Sequence, residues 1–206
     1  MHQKKITSAG EKIEAGRKVL IMLHGRGASA EDILTLAAHL QVKDYALIAP
    51  QATNHTWYPY SFMMPPQQNE PWLSSALKLV DDIVHDLNHS GIRNEDIYFS
   101  GFSQGACLTL EYIARHAKKW GGAAAFTGGL IGDEIYQDHY AGNFENTPVF
   151  IGTSDPDPHV PLARVQETTS VLKTLGASVT TKVYPHMGHT INHDEIETAN
   201  RLIFGA

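Results

Sequence analysis

Short, continuous apolar runs recur along the chain, and a segment with apolar residues at helical spacing follows most of them. The runs cover residues 19–23, 46–49, 97–100, 123–126, 149–151 and 179–184. Runs of this length without polar alternation are typical of strands buried on both faces of a parallel sheet. Strands that alternate with helices in this way predict an α/β fold, a mainly parallel sheet covered by helices on both faces.

The segments between the runs show recognisable helix boundaries. Residues 29–32 have the form of a capping box, and an apolar stripe from Leu73 to Leu87 is preceded by Pro71 and followed by Gly91. Further helices are predicted over residues 106–117, 161–175 and 196–203. In open sheets of this class, ligands bind beyond the carboxyl ends of the strands. We therefore expect the functional residues in the loops that follow the strands.

One of these turns has the pattern of a nucleophile elbow. Gly101-Phe102-Ser103-Gln104-Gly105 follows the run that begins at Ile97 and precedes a helix from Ala106 onward. In a G-x-S-x-G turn the sharp reversal exposes the serine hydroxyl, and the glycines let neighbouring elements pass closely. A glycine-rich turn with a bystander serine also fits the bare pentapeptide. The strand before it and the helix after it favour Ser103 as a nucleophile.

A serine nucleophile needs a base and a group that orients the base, and in this fold an acid precedes a histidine along the chain. The loop after the fifth run offers Asp155 and Asp157, and the loop after the sixth offers His186 and His189. Taken alone, each aspartate also suits a turn or helix N-cap, and each histidine suits an ordinary loop. The order and the strand-end placement favour a catalytic trio, with the choice within each pair open at this point.

Acyl transfer also requires donors for the oxyanion of the tetrahedral intermediate. The backbone N–H of Gln104, directly after the serine at a helix N-terminus, is one predicted donor. The second is assigned to the backbone N–H of Arg26, in the glycine-rich stretch 24–27 that follows the first strand. A glycine turn that merely caps this strand is the alternative.

A loop rich in aromatic and methionine side chains is a candidate wall of the substrate pocket. The candidate pocket residues are Trp57, Tyr58, Phe62, Met63 and Glu70. The four apolar members suit an acyl or aromatic pocket, and they suit a loop packed on the core equally well. For Glu70, an exposed carboxylate at a helix start is the simpler interpretation.

Histidines near the end of the chain raise the alternative of a metal-dependent hydrolase. His186, His189 and His193 are closely spaced, but the H-E-x-x-H pattern is absent. Zinc sites need three or four converging ligands with ordered spacing. We therefore expect no metal ion at this site.

Taken together, the motifs resemble the phospholipase/carboxylesterase family, to which acyl-protein thioesterases also belong. The resemblance rests on residues 23–27, 101–105, 157–161 and 187–189, and it covers nearly the whole chain. It implies an α/β-hydrolase with little or no cap domain and no metal or organic cofactor, and a homodimer is plausible through the resemblance alone. It assigns the nucleophile to Ser103, the acid to Asp157 and the base to His189, and the oxyanion amides to Arg26 and Gln104. Residues 57–59 and 68–71 further resemble a bacterial branch named after hydroquinone-linked operons.

Two positions depart from the family pattern. The family usually has a single Asp-Pro before x-Val-Pro, whereas here Asp155-Pro156 directly precedes Asp157-Pro158. The register to Val160-Pro161 favours Asp157. The family often has glycine where this chain has His186, and the wording Met187-Gly188-His189 favours His189.

Composition narrows the class of function. A formal net charge of -6 without a Lys/Arg run argues against a nucleic-acid partner. Cys107 is the only cysteine, which excludes an intrachain disulfide and fits a reducing compartment. No apolar stretch is long enough to span a bilayer, and residues 1–16 lack the apolar core of a signal peptide. We predict a cytoplasmic protein with one domain over residues 1–206 and no membrane insertion.

The predicted activity is that of a serine hydrolase that cleaves carboxylic esters through a Ser-His-Asp triad and an acyl-enzyme intermediate. Its predicted partner is a small-molecule ester or thioester. The alternatives are an acyl thioesterase or lysophospholipase acting on long-chain substrates, and a binding protein without turnover on the same scaffold. An intact set of Ser103, Asp157 and His189 weighs against the binding protein.

Overall fold

A computed structural model describes residues 1–205. These residues form one seven-stranded sheet in the order β1-β3-β2-β4-β5-β6-β7. The strands are β1 Ile6–Gly10, β2 Val19–Leu23, β3 Ala46–Pro50, β4 Ile97–Phe102, β5 Gly122–Phe126, β6 Pro148–Asp155 and β7 Ser178–Pro185. Neighbouring strands are parallel except for the antiparallel pair β1 and β3. The predicted α/β architecture with a mainly parallel sheet is confirmed.

All six strands predicted from apolar runs are present, and β1 is the strand that the pattern missed. Strands β2, β3 and β5 are buried along their whole length, which explains their unbroken apolar sequence. Strand β1 reads Ile-Thr-Ser-Ala-Gly and is mostly exposed at the edge of the sheet. Because it buries little surface, its sequence carries no apolar signal.

Within residues 1–205, four α-helices connect strands and a fifth follows β7. They are α1 Ala30–Thr35, α2 Trp72–His89, α3 Gln104–Arg115, α4 Leu162–Thr174 and α5 His193–Ala199. The predicted capping box is formed, because the Asp32 backbone N–H donates to Ser29 Oγ (3.1 Å) and the Ser29 N–H donates to Asp32 Oδ2 (2.8 Å). Helix α1 is shorter than its apolar stripe because a 3-10 turn follows at Leu36–His39. A π-helical turn at Asn200–Phe204 likewise extends α5.

The core lies in two layers, one on each face of the sheet. One layer joins alternate residues of β2 and β4, such as Leu23 and Phe99, to the apolar faces of α2, α3 and α4. The other joins the intervening residues, such as Met22, to α1 and α5. Residues 1–205 contain no helix with both the length and the apolar character needed to cross a bilayer. With both faces covered, the strand ends and their loops are left to carry the site.

Candidate active site

The backbone at Ser103 adopts a conformation that side-chain-bearing residues rarely occupy. Ser103 has φ 54° and ψ -118° between β4 and α3. Such a conformation costs about 1–3 kcal/mol and persists only where the surroundings enforce it. A Cβ at Gly105 would lie 2.0 Å from the Leu23 carbonyl oxygen, and one at Gly101 would lie 2.4 Å from that of Gly105. The two glycines are therefore required by close packing around the elbow.

The structure brings three of the predicted side chains into one hydrogen-bonded chain. His189 Nε2 lies 2.8 Å from Ser103 Oγ, and His189 Nδ1 lies 2.8 Å from Asp157 Oδ2. Asp157 Oδ1 accepts the backbone N–H groups of His159 and Val160, both at 2.8 Å. The Asp157 side chain is fully buried, and that of His189 is 20% exposed. The arrangement connects a hydroxyl to an imidazole and the imidazole to a buried carboxylate.

The surroundings of Asp157 favour its ionised form. Burial by itself raises the pKa of the Asp157 carboxyl, but the N–H groups of His159 and Val160 and the His189 imidazole outweigh burial and lower the pKa below its usual value. Hydrogen bonds donated to a carboxylate stabilise its charge. A charged, fixed carboxylate is what an orienting acid requires.

The two alternative residues lie elsewhere on the same strand ends. Asp155 and His186 are both exposed. The His186 backbone N–H donates to the Asp155 carbonyl oxygen (3.0 Å), which joins the ends of β6 and β7. Their backbones thus hold the two loops together, while the Asp157 side chain contacts His189 and the His189 side chain contacts Ser103.

The stretch after β2 lies against the elbow. A Cβ at Gly25 would be 3.6 Å from Ser103 Cβ and 3.3 Å from the Phe102 ring. Buried His24 holds this stretch, because its Nδ1–H donates to the Gly25 carbonyl oxygen (2.7 Å) and its Nε2 accepts the Ala52 N–H (3.1 Å). Burial lowers the pKa of His24, so the neutral ring required by these two bonds is favoured. The Gly25–Arg26 peptide is thereby fixed close to the serine.

An open cavity of about 530 Å³ lies directly over Ser103. Its lining consists of Gly25, Arg26, Ala28, Ser61, Phe62, Phe102, Ser103, Gln104, Cys107, Pro158, His159, Val160 and His189. Arg26 and Gln104, the two predicted oxyanion donors, thus border the same space as the serine. The buried apolar part of the wall comes from the side chains of Phe62, Cys107 and Val160. It is an apolar surface suited to a hydrocarbon group.

Cys107 lies one helical turn below Ser103, and its backbone N–H donates to the Ser103 carbonyl oxygen (2.9 Å). Burial raises the pKa of the Cys107 thiol to about 12. A thiol with so high a pKa is protonated at neutral pH and is a poor nucleophile. Ser103 is thus the nucleophile candidate in this cavity, and Cys107 contributes apolar surface.

The predicted pocket residues take different places. Phe62 lines the cavity, whereas Trp57 and Tyr58 are buried in the core and Met63 packs against its edge. The Glu70 carboxylate accepts the Ser74 backbone N–H (3.1 Å) and hydroxyl (2.7 Å) at the start of α2. The packed-loop interpretation therefore describes most of this segment, since apolar rings gain more from full burial than from an open groove.

Sequence reasoning missed several residues that border or support the cavity. His159 lies beside His189, with ring centroids 4.9 Å apart. Buried Asn69 accepts the Tyr60 N–H (2.9 Å) and donates to the Ser61 carbonyl oxygen (3.0 Å). A lone Asn or His in a loop gives no signal in one sequence, because its role depends on partners supplied by the fold.

Two histidines that follow β7, His189 and His193, have separate side-chain partners. Within residues 1–205, no three His, Cys, Asp or Glu side chains converge in an arrangement that could hold a metal. His189 contacts Ser103 and Asp157, and His193 Nε2 lies 3.1 Å from Glu197. These histidines point to different partners.

Comparison with known proteins shows which family this chain resembles over nearly its whole length. The family model described as Phospholipase/Carboxylesterase matches residues 4–204. The crystal structure of a phospholipase/carboxylesterase from Dyadobacter fermentans superposes with a TM-score of 0.96 at 53% identity, covering 98% of this chain and 97% of that one.

Two curated relatives are more distant. A probable carboxylesterase SOBER1-like protein of Arabidopsis thaliana is 28% identical over 198 residues, which span 88% of this chain and 76% of the relative. Acyl-protein thioesterase 1 of Saccharomyces cerevisiae is 27% identical over 217 residues, which span 90% of this chain and 91% of the relative. The resemblance drawn from the motifs is confirmed, and the chain belongs to the phospholipase/carboxylesterase family of α/β-hydrolases.

Proposed function

We propose that this esterase-type hydrolase cleaves carboxylic esters through Ser103 as nucleophile, His189 as general base and Asp157 as the orienting acid. The observation that supports the proposal is the pair of 2.8 Å contacts that link Ser103 Oγ to His189 and His189 to Asp157. Neither contact is local in sequence, and Ser103 and His189 both border a cavity of about 530 Å³, which is large enough for a small ester. Fold alone would not support this mechanism, since many functions share this scaffold.

The proposed reaction has two halves. His189 Nε2 takes the proton of Ser103 Oγ as that oxygen attacks the acyl carbon, and the imidazolium then protonates the leaving alcohol. Asp157 keeps the Nδ1–H directed toward itself and stabilises the positive charge on the ring. In the second half His189 removes a proton from water as the water oxygen attacks the acyl carbon. The imidazolium then returns that proton to Ser103 Oγ as the acyl–Oγ bond breaks, and the acid is released.

The oxyanion that forms in each half is proposed to accept the backbone N–H groups of Gln104 and Arg26. Gln104 is the first residue of α3, so its N–H has no partner within the helix and lies at the positive end of the helix dipole. Arg26 lies on the fixed stretch after β2 and borders the same cavity. Loss of one such donor typically lowers kcat about 10²–10³-fold.

The nucleophile is tested with Ser103→Ala and the matched control Ser170→Ala on the exposed surface of α4. We expect Ser103→Ala to lower the turnover of p-nitrophenyl acetate at least about 10⁴-fold while the folded state is retained. A fluorophosphonate probe should label the wild type and Ser170→Ala but not Ser103→Ala. Retained turnover in Ser103→Ala would refute the assignment, and failure of the wild type to react would favour a binding protein without turnover.

A second candidate is an acyl thioesterase or lysophospholipase activity on long-chain substrates. It is favoured by the similarity to acyl-protein thioesterase 1 of yeast and by the apolar surface of Phe62, Cys107 and Val160. A series of p-nitrophenyl esters and matched thioesters of increasing chain length separates the two. A sharp optimum at short acyl chains supports the small-ester proposal, and rising kcat/KM with chain length supports the alternative.

The domain organisation, location and oligomeric state stay predictions from the sequence. We propose one domain over residues 1–206, a cytoplasmic location and a homodimer, with a small-molecule ester or thioester as the partner.

A further inference from the structure

The hydroxyl of Thr56 lies between the two residues whose amides are the proposed oxyanion donors. Arg26 Nη1 donates to Thr56 Oγ1 at 3.1 Å. Thr56 Oγ1 lies 3.2 Å from Gln104 Oε1 and 2.9 Å from the Tyr58 carbonyl oxygen. A hydroxyl has one proton and two lone pairs, and guanidinium only donates, so the single Thr56 proton is shared between the last two acceptors.

The same short segment, residues 56–60, receives every other side-chain bond of these two residues. The Gln104 amide accepts the Trp57 N–H (2.9 Å) and donates to the Tyr58 carbonyl oxygen (2.8 Å). The Arg26 guanidinium donates to the carbonyl oxygens of Pro59 (2.8 Å) and Tyr60 (2.6 Å). We call this segment the brace. Through it, a residue after β2 and the first residue of α3 are tied to one another.

In addition to the His24 bond to the Gly25 carbonyl oxygen, the side-chain contacts of Arg26 are a second support for its backbone. Its neighbour Gly27 has φ +81°, with no atom within 4 Å of the position where a Cβ would stand, and Arg26 itself is exposed. Glycine restricts the backbone less than any other residue. Oxyanion donors are effective only when they are held in place before the reaction, about 2.7–3.1 Å from the site of the developing charge. His24 restrains this backbone through the Gly25 carbonyl oxygen, and the guanidinium contacts add a second restraint from the Arg26 side chain.

We propose that Thr56 is a positioning residue that fixes the Arg26 and Gln104 amides relative to one another. The inference rests on the proposed function, in which these amides bind the oxyanion. Thr56 is the one brace residue whose side chain contacts both of them. Because the oxyanion exists only in the transition state and the intermediates, the Thr56 hydroxyl acts on kcat and not on substrate binding.

The experiment compares Thr56→Val, which has the same shape without the hydroxyl, with Thr56→Ser, which keeps it. We expect Thr56→Val to lower kcat about tenfold with KM within about twofold, because the donors are displaced and not removed. Thr56→Ser should return kcat to within about threefold of the wild type. The affinity for a boronic acid transition-state analogue should fall in Thr56→Val by the same factor as kcat/KM.

Thr53→Val is the matched control on the same loop, since the hydrogen bond of Thr53 to His2 is made by its backbone. It should retain the wild-type kcat. Thermal unfolding is followed for each variant, and Thr56→Ala replaces Thr56→Val if the latter does not fold.

Wild-type kcat and analogue affinity in Thr56→Val would overturn the inference, as would equal losses in Thr56→Val and Thr56→Ser. A rise in KM at unchanged kcat would also overturn it, because that pattern belongs to substrate binding. These failures are distinct from failure of the proposed function, which would appear as retained turnover in Ser103→Ala.

Discussion

The side chain of His189 contacts those of Ser103 and Asp157, whereas Arg26 and Gln104 border the same cavity and use their side chains to hold a loop. We call these the proton-transfer side and the oxyanion side. On the proton-transfer side, the side chains themselves carry out the proposed chemistry. On the second, the proposed chemistry belongs to backbone N–H groups, and the residue types provide support.

The difference determines how each side responds to substitution. Replacing a side chain on the proton-transfer side removes the reacting group itself, so kcat is expected to fall by several powers of ten. A substitution on the oxyanion side leaves every peptide N–H in the chain and only alters where it lies. Smaller losses of kcat are expected there, and the free energy of unfolding should change together with the kinetic constants.

The largest effect predicted in this comparison concerns the proton-transfer side, where it tests which of the two aspartates orients His189. Asp157→Asn should lower kcat by about 10³–10⁴-fold, because an amide no longer fixes the His189 tautomer or stabilises its positive charge. Asp155→Asn, at the exposed end of β6, should stay close to the wild type. Steady-state hydrolysis of p-nitrophenyl acetate measures both. A larger loss in Asp155→Asn would transfer the acid role to that residue.

An intermediate effect is predicted for a substitution that loosens the loop directly after the brace and so disturbs the oxyanion side. Asn69→Ala leaves the Tyr60 N–H and the Ser61 carbonyl oxygen without their buried partner, which should lower the free energy of unfolding by about 2–4 kcal/mol. KM should rise and kcat fall modestly, since Ser61 and Phe62 border the cavity. Urea unfolding and ester kinetics measure the change, with exposed Gln68→Ala as the control. An unaltered free energy of unfolding in Asn69→Ala would show that the two hydrogen bonds of Asn69 do not stabilise this loop.

The smallest predicted effect concerns a buried carboxylate behind the His189 loop. Glu195 Oε2 accepts the Asn192 N–H (2.8 Å), while Oε1 has no hydrogen-bond partner within residues 1–205. Burial raises the pKa of Glu195 to about 7. The folded state therefore holds this proton more tightly than the unfolded state, so its contribution to stability is present below the unfolded pKa and is lost as pH rises through about 7.

Glu195→Gln is uncharged at every pH and should remove this loss. We expect its free energy of unfolding to exceed that of the wild type by about 1–2 kcal/mol at pH 8 and to be nearly equal to it at pH 5. Urea unfolding at the two pH values is the measurement. A difference of the same size at both would show that the charge of Glu195 is not its source.

Particular elements show how far the sequence could be interpreted. Strand β2 was predicted because Val19–Leu23 is buried on both faces and leaves an apolar run, while the exposed edge strand β1 leaves none. Ser103 was identified because the elbow needs glycines at fixed offsets around it. Thr56 and Asn69 could not be identified, because their partners lie in other parts of the fold.

The sequence by itself determined the α/β alternation, the elbow at Ser103 and the order in which acid and base candidates follow it. These features depend on local packing and local backbone geometry, which neighbouring residues encode. Only the tertiary structure decided that His189 contacts the Ser103 hydroxyl and Asp157 contacts His189, while Asp155 and His186 stay exposed. It also decided that Trp57 and Tyr58 belong to the core and that the brace joins Arg26 to Gln104. Such choices depend on distances between segments far apart in the chain, and only the folded sheet with its loops fixes those distances.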